Sequence, residues 1–301
     1  MTPDPSSPSP SGTARSGIVL LDKPAGMSSN AALQKVRRAL GAAKAGHAGT
    51  LDPLATGMLP VLLGEATKIA GHLLGKDKAY RVGARLGVTT DSYDADGSVT
   101  GGGPVPELAA ADLRPLLDRL TGRIRQRPPA FSALKQGGVP LYRRARRGEP
   151  VDVPEREVDV HGIGLVALAG DHLELEVVCG SGTYIRSLVH DIGQTLGCGA
   201  HVTSLRRLWV DPFRERPMVA LDAVLAGTAP VLPVLAGLAG WPTLVAGPEQ
   251  AMAIRQGRPV ALTGAAPGRL AVLAAPGELL ALVEVAGDGG ARSLRVFNPV
   301  C

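Results

Sequence analysis

The chain has 301 residues, 45% of them hydrophobic and 20% charged, which fits a globular protein of one large domain, or of a large and a small one. Its three cysteines are too few and too scattered for a disulfide framework or a cysteine-rich zinc site, so they predict reduced thiols in a cytoplasmic protein. The net charge of +5 is unevenly placed: from Arg114 to Arg147 there are ten Lys and Arg residues and one acid, Asp118, a local balance of +9. Such a cluster is typical of a surface that binds a polyanion, and the alternative is a solvated helix face.

Two segments of unusual composition bear on location. Residues 1–16, rich in Pro and Ser, have no apolar core like that of a signal peptide and predict a disordered tail. Residues 223–248 carry no charge, but Gly and Pro interrupt them too often for a membrane-spanning helix. We therefore expect a short helix, a turn and an interdomain connection there, and no membrane segment.

The remaining segments alternate between helix and strand patterns. Up to residue 122 they predict a strand at 18–21, a helix at 31–40 capped by Ser28, Ser29 or Asn30, a loop at 46–57, an apolar run at 59–64, a helix at 65–74, a strand at 78–87, a loop at 89–97 and a helix at 106–122 interrupted near Pro115. Further on they predict a basic segment of mixed structure at 123–150, a strand at 172–178, a helix at 184–197, a strand at 201–210 and, from residue 244, the short apolar runs of a small all-β barrel.

The loop "GHAGTLDPLATG", residues 46–57, contains a single charged side chain, Asp52. An Asp-Pro pair is commonly a turn or a helix N-cap. Here the glycines on both sides let the backbone approach a ligand, and Pro53 biases Asp52 toward an extended conformation. A carboxylate held on such a loop suits a nucleophile or a charge partner.

The longer stretch "GHAGTLDPLATGMLPVLLGEATK" resembles the catalytic-aspartate motif of the TruB family of tRNA pseudouridine-55 synthases. The resemblance covers about residues 17–215 in the family's order, through "LLDKPAGMSSN", "KAYRVGARLG", "TDSYDADG", "PPAFSALKQGGVPLYRRARRG", "GTYIRSLVHDIG" and "LGCGAHVTSLRRL". Residues 244–301 resemble a PUA domain more weakly, through pattern and position. The resemblance implies an α/β (α+β) pseudouridine synthase fold, with a mixed, largely antiparallel sheet flanked by helices and a small C-terminal all-β PUA barrel.

The same resemblance implies a domain organisation and partners. We expect a tail at 1–16, a catalytic domain at 17–240 with a basic RNA-clamping insertion at about 123–152, and a PUA-like RNA-binding domain at 241–301. The partner is tRNA, contacted at the T stem-loop and, farther away, at a part such as the acceptor end. We expect a monomer without an obligate protein partner. No cofactor is expected because isomerising uridine needs no oxidant or transferred group, and no metal is expected because the His190–Asp191 pair lacks further ligands at suitable spacing.

Three residues are expected to carry the chemistry. The reaction breaks the bond from C1′ to N1, turns the uracil and joins C1′ to C5, which calls for a carboxylate close to sugar and base. The resemblance assigns that carboxylate to Asp52 and its cationic partner to Arg186. It assigns Tyr80 to stacking on the uracil and makes it the candidate general base for the C5 proton. Whether Asp52 attacks C6 of the base or C1′ of the sugar, or assists elimination, is left open.

A wider set is expected to bind the RNA. The target base must be everted to reach a carboxylate, and His47 matches the histidine that fills the space it leaves. Asp94 is expected to contact the flipped nucleotides, Tyr184 to wall the pocket and Leu205 to pack on the base. Two lysines match further motif positions, Lys23 near the site and Lys68 in "GEATK". Phosphate contacts are expected from the four arginines Arg143, Arg144, Arg146 and Arg147.

Two other functions share part of this pattern. A guide-RNA-dependent relative would have the same aspartate motif, but the Arg-rich insertion and the lack of long charged extensions favour direct reading of tRNA. A non-catalytic RNA chaperone would not need Asp52, Tyr80 and Arg186 together. Chaperone activity is nevertheless compatible with catalysis.

Overall fold

The structure of the protein is a computed structural model that describes residues 16–132, 134–136, 138–141, 144, 147, 149 and 153–298. The strands of the described residues are β1 (Gly17–Lys23), β2 (Ala45–His47), β3 (Thr56–Leu63), β4 (Lys78–Leu86), β5 (Thr89–Thr90), β6 (Val99–Gly101), β7 (Gly122–Gln126), β8 (Lys135–Gln136), β9 (Val139–Pro140), β10 (Arg156–Ala169), β11 (His172–Cys179), β12 (Ala200–Val210), β13 (Val219–Ala220), β14 (Thr243–Val245), β15 (Val260–Ala261), β16 (Gly268–Ala275), β17 (Glu278–Val285) and β18 (Gly290–Val296).

The helices with defined bounds are α1 (Ser29–Ala39), α2 (Ala70–Leu74), α3 (Ala110–Arg119), α4 (Ile185–Thr195), α5 (Leu221–Leu225) and α6 (Pro248–Arg255), with 3₁₀ helices at Gly64–Ile69 and Val234–Leu238. Helix α1 begins as the sequence predicts, because the Ser28 side chain accepts a hydrogen bond from the Ala31 N–H at 3.1 Å. It ends before Gly41, whose φ of 62° an L side chain adopts only with strain. None of the helices in the described part of the chain is long and apolar enough to cross a membrane.

A nine-stranded sheet forms the larger part of the fold. Its order is β13-β1-β3-β12-β4-β11-β10-β7, and β2 pairs with β3 off this path. The pairs β1–β13 and β3–β12 are parallel and the others are antiparallel, which confirms the predicted mixed, largely antiparallel sheet. On β12, Arg207 lies opposite both Gly57 of β3 and Tyr80 of β4. Three strands therefore meet at Arg207.

Both faces of the sheet are covered at β1. Its side chains alternate: Val19 and Leu21 pack in the core that contains buried residues of α1, α3 and α4, whereas Ile18 and Leu20 pack in a second core. The second core also contains Leu282 and Phe297 from the C-terminal part of the chain. A strand buried on both faces carries a continuous apolar run, which is what residues 18–21 show.

The C-terminal part is a five-stranded sheet of order β14-β16-β17-β18-β15, with helix α6 against it. The expected strands are present, but a helix of eight residues interrupts the all-β pattern. Its own core includes Ile254 of α6 and Leu262, both fully buried.

The basic segment differs from the expectation of an insertion that starts at about residue 123. Strand β7 runs along β10 at the edge of the main sheet, so residues 123–126 belong to that sheet. Exposed arginines of this edge pair with acids across it, Arg123 with Glu157 at 2.8 Å and Arg127 with Glu155 at 3.8 Å. Charged residues on an edge strand discourage pairing with another chain.

Candidate active site

A pocket of about 340 Å³ opens where the loop between β2 and β3 meets β4, β12 and the start of α4. This volume is within the range of sites for small ligands. The pocket is lined by five of the residues that the sequence predicts, Asp52, Tyr80, Tyr184, Arg186 and Leu205. Residues from four separate segments of the chain are thus brought together.

Asp52 and Arg186 form an ion pair at the pocket wall. Nη2 of Arg186 lies 3.1 Å from Oδ2 of Asp52, and its Nη1 donates to Oδ2 of Asp94 at 3.0 Å. The same guanidinium donates to the carbonyl oxygens of Ser92 and Phe131. Arg186 is only 4% exposed, so these contacts fix its orientation.

The Asp52 carboxylate remains accessible while it is paired. Its side chain is 38% exposed, and Oδ1 has no hydrogen-bond partner among the described residues. Burial raises the pKa of Asp52 above 3.8, although Arg186 lowers it; Asp94 adds to the rise and Lys23 opposes it. The pocket therefore presents a basic carboxylate oxygen, steadied by a cation, to whatever binds there.

Two buried side chains hold the backbone on either side of Asp52. Ser29 Oγ accepts from the Leu51 N–H at 2.8 Å and donates to the Leu51 carbonyl at 2.9 Å. Lys23, which is 0% exposed, donates from Nζ to the carbonyl oxygens of Met27 at 2.7 Å and Pro53 at 3.4 Å. Burial lowers the pKa of Lys23 to about 8, while Asp52 raises it and Arg207 lowers it. The structure thus places Lys23 directly behind the loop that carries Asp52.

Arg207 ties the two ends of that loop together. It is 1% exposed and donates from Nη2 to the Gly49 carbonyl at 3.0 Å and from Nε to the Met58 carbonyl at 2.7 Å. Gly57 has a φ of 96°, and a Cβ there would lie 2.2 Å from the Arg207 carbonyl oxygen. Only glycine allows this approach.

Sequence analysis did not single out Arg207, Ser29, Lys78 or Arg156, although all except Ser29 line the pocket. For Arg207 a signal exists, because alternate residues of a strand share a face and Leu205 precedes it by two. A buried strand position occupied by Arg is unusual unless the charge is partnered.

The aromatic and apolar walls are formed by Tyr80, Tyr184 and Leu205. Tyr80 and Leu205 are each 8% exposed. Burial raises the pKa of Tyr80, and the neighbouring Arg207 partly offsets that rise. Tyr184 is fixed by its backbone, which donates to Oε1 of Gln126 at 2.7 Å and accepts from its Nε2 at 2.9 Å. The two tyrosine rings give the pocket flat faces, and Leu205 adds an apolar surface.

Like Lys23, three further predicted binding residues from the motifs do not line the pocket. Asp94 is buried behind Arg186, which it holds, and offers little surface to a nucleotide. His47 lies on β2; burial lowers its pKa, with a further contribution from Arg207, and its buried Nδ1 has no partner in the described residues. Lys68 pairs with Glu65 at 2.5 Å and donates to the Val296 carbonyl at 2.8 Å, so its ammonium lies against the C-terminal sheet.

Of the four insertion arginines, two can be placed. Arg144 and Arg147 lie near Glu149, with nitrogen-to-oxygen distances of 3.0 and 3.6 Å. Arg143 and Arg146 lie outside the described residues. The phosphate contacts expected of this set remain predictions.

The chain shares its fold with proteins of two solved complexes. It resembles a solved H/ACA RNP bound to a substrate RNA containing 2′-deoxyuridine, with a TM-score of 0.70, 24% identity and coverage of 94% of this chain and 85% of that one. It also resembles a Cbf5-Nop10-Gar1 complex, with a TM-score of 0.69, 25% identity and coverage of 94% and 84%.

Comparisons of the sequence identify the family of this chain more specifically than its fold does. Residues 37–185 match the TruB family pseudouridylate synthase (N terminal domain), and residues 186–230 match the tRNA pseudouridylate synthase B C-terminal domain. A protein called tRNA pseudouridine synthase B from Xanthomonas euvesicatoria pv. vesicatoria is 52% identical to this chain, with 94% of each chain covered. One from Xylella fastidiosa is also 52% identical, over 94% of this chain and 96% of its own. One from Ectopseudomonas mendocina is 47% identical over 91% of this chain and 92% of its own. The chain belongs to the TruB family of pseudouridylate synthases.

Proposed function

We propose that this chain isomerises uridine to pseudouridine at position 55 in the T loop of tRNA. The observation that carries the proposal is the Asp52 carboxylate, exposed in a nucleotide-sized pocket and held by Arg186 at 3.1 Å. Relatives at 47–52% identity carry the name tRNA pseudouridine synthase B, which supports tRNA as the substrate. These relatives are about twice as similar in sequence as the solved H/ACA RNP and Cbf5-Nop10-Gar1 complex, at 24–25% identity, which favours direct recognition of tRNA over the guide-dependent alternative.

The proposed chemistry needs an everted base. The walls of the pocket are largely buried, so a uridine stacked within the T loop cannot reach Asp52 until it is flipped out. Tyr80 then stacks on the uracil and Leu205 packs against it, while His47 fills the space left in the loop. Because the Asp52 carboxylate is exposed in the pocket that takes the sugar and base, Asp52 acts as the nucleophile in the step that breaks the bond from C1′ to N1.

The second half of the reaction forms the new bond and moves protons. After the uracil turns, C5 bonds to C1′, and the bond that Asp52 formed breaks to return its free carboxylate. C5 loses its proton and N1 gains one, so the product is an isomer of the substrate. Tyr80 is our candidate acceptor for the C5 proton. Burial favours its neutral phenol, and Arg207 is the group that would stabilise the phenolate needed to accept that proton. No cofactor enters this scheme.

We further propose that the protein acts as a monomer in the cytoplasm and contacts the T stem-loop through its insertion. Arg144 and Arg147, with Arg143 and Arg146, would meet the phosphates of the stem-loop. The C-terminal sheet, as a PUA-like domain over residues 241–301, would touch a more distant part of the tRNA such as the acceptor end.

The decisive variant is Asp52→Asn, which keeps the shape of the side chain and removes its charge. We expect pseudouridine formation at position 55 of an unmodified tRNA transcript to fall by roughly 10⁴-fold or more, with tRNA binding largely retained. Site-resolved chemical mapping measures pseudouridine formation, and a filter-binding titration measures tRNA binding. Asp222→Asn, at an exposed position of α5, is the matched control and should stay active. Turnover by Asp52→Asn at the normal rate would mean that another group is the nucleophile. A wild-type protein that binds the transcript but forms no pseudouridine would leave the chaperone alternative.

A further inference from the structure

The charges that line the pocket do not balance. Four cations line it, Lys78, Arg156, Arg186 and Arg207. Among the residues that the structure describes, only Arg186 of these four lies within 4 Å of carboxylate oxygens, those of Asp52 and Asp94. Within the described part of the chain the other three have no ion-pair partner. Uracil and ribose are neutral, so the phosphodiesters are the only part of an RNA substrate that can match this excess of positive charge.

Arg156 is held at one side of the pocket by the loop that leads into α4. Its Nη2 donates to the Gly182 carbonyl, and the guanidinium carbon lies 4.9 Å from the centre of the Tyr184 ring. Its Nε is buried without an acceptor among the described residues. An unsatisfied donor of a charged group is costly, and a new acceptor on binding would relieve that cost.

Lys78, on β4, lies opposite Cys179, the last residue of β11, after which the same loop begins. It is buried, and its Nζ donates to the carbonyl oxygens of Lys76 at 2.5 Å and Leu74 at 3.4 Å. An ammonium group has three donors, so one remains free for a further acceptor. The backbone of Gly180–Thr183, which also lines the pocket, lies on the same side of it as Arg156.

We propose that Arg156 and Lys78, together with the Gly180–Thr183 backbone, bind one of the two phosphodiester groups that flank the target uridine. Arg207 is set apart from this pair because its Nε and Nη2 donate to the backbone carbonyls of Met58 and Gly49, which hold the loop that carries Asp52. The proposal rests on the proposed function, since it takes the nucleotide in the pocket to be the target uridine. It explains how a flipped nucleotide is held at its backbone while its base is free to turn.

The test combines protein and RNA changes. A T-arm stem-loop RNA is made with a single neutral methylphosphonate on the 5′ or the 3′ side of the target uridine, or at a stem position as a control. We expect one of the two flanking substitutions to weaken equilibrium binding to the wild-type protein roughly tenfold. Arg156→Met and Lys78→Met should weaken binding of unmodified RNA by a similar factor and should then show little further loss with that methylphosphonate.

Two control variants distinguish the loss of this phosphate contact from a general effect of removing positive charge. Arg85→Met removes a charge from the same strand, seven residues and about 23 Å from Lys78, and should bind like wild type and keep its sensitivity to the methylphosphonate. Arg156→Lys keeps the charge and should recover most of the binding. If neither flanking methylphosphonate weakens wild-type binding, or if the RNA and protein losses simply multiply, no phosphate is bound there. Because binding needs no turnover, a failure here differs from a failure of wild type to form pseudouridine.

Discussion

At the residue scale, Asp52 lies between two cations that act on it differently. Arg186 contacts its oxygen directly, whereas Lys23 acts through space and hydrogen-bonds the backbone beside it. Both favour the ionised carboxylate, against burial and the charge of Asp94. Since catalysis needs the carboxylate, activity should fall as the pH drops through the pKa of Asp52, at a pH above the ordinary value of 3.8.

The variant Lys23→Met tests the through-space part of this balance. Removing the cation raises the pKa of Asp52, so the acid limb of the pH profile of kcat/KM should move to higher pH. Three backbone carbonyls also lose their donor, so the protein should lose roughly 1–3 kcal/mol of unfolding free energy. The profile is measured from pH 4.5 to 7 at a temperature where circular dichroism shows the variant folded. Lys35→Met, on the exposed side of α1, is the control; an acid limb that stays in place for Lys23→Met would contradict the idea.

The site residues that the sequence predicts make a different kind of contact from the site residues that it misses. Asp52, Tyr80 and Arg186 stand in contiguous motifs, so a short stretch of sequence is enough to find them. Ser29 acts through a backbone group 22 residues away and Arg207 through one 158 residues away. Because each acceptor is a main-chain carbonyl, the side chain of the accepting residue gives no indication of the contact. Only the folded structure shows it.

At the scale of elements, the parallel contact between β3 and β12 fixes the loop that carries Asp52. Gly57 of β3 lies opposite Arg207 of β12, so close that a methyl group would overlap the Arg207 backbone. The loop is thereby held at its β3 end by main-chain contact and at Gly49 by the Arg207 guanidinium.

Gly57→Ala should therefore destabilise the protein and displace the loop. The added Cβ clashes with the Arg207 backbone, and the φ of 96° is strained for alanine, so we expect a loss of about 3 kcal/mol or more. Urea unfolding followed by circular dichroism measures it. Gly71→Ala is the comparison, because no atom lies within 4 Å of its Cβ position inside α2, and it should be neutral or slightly stabilising. Equal stability of the two variants would show that β3 and β12 can separate at Gly57 without cost.

Elements with regular patterns are those the sequence predicts well. Strand β4, strand β11 and helix α4 all lie within two residues of their predicted bounds. Strand β10 was not predicted, because its pairing with β11 shifts register twice and breaks the alternation of buried and exposed residues. The predicted helix at 65–74 begins as a 3₁₀ helix, where Thr67 Oγ1 donates to the Gly64 carbonyl.

At the scale of the whole molecule, the C-terminal sheet is joined to the main sheet by apolar packing and by polar contacts of Glu65 and Lys68. Leu282 and Phe297 enter the core beneath β1 and β3. Beside them, Glu65 accepts from the Asn298 N–H at 2.8 Å and from Lys68, whose ammonium lies 5.5 Å from the centre of the Phe297 ring. The sequence predicts two folded units but not this junction. Nothing in the sequence around "GEAT" or in the last strand indicates that these two segments contact each other.

The Glu65 contact should make the junction sensitive to acid. Burial would raise the pKa of Glu65, but its hydrogen bonds to Lys68 and to the Asn298 N–H prevail and hold that pKa below 4.5. A carboxyl group with a lowered pKa stabilises the folded state above its unfolded pKa, and this contribution disappears as the pH falls through the folded value. Glu65→Gln should thus be less stable than wild type by roughly 1–3 kcal/mol at pH 7, and the difference should narrow below about pH 4.

Thermal unfolding at several pH values measures this difference, at about 2–4 °C in Tm for each kcal/mol in a chain of this size. The matched control is Glu284→Gln, which breaks an exposed pair with Arg292 inside the C-terminal sheet and should cost less than about 1 kcal/mol. A Glu65→Gln protein as stable as wild type at pH 7 would mean that apolar packing alone joins the two sheets. A gap that persists unchanged to pH 3 would mean that Glu65 acts through shape and not through its charge.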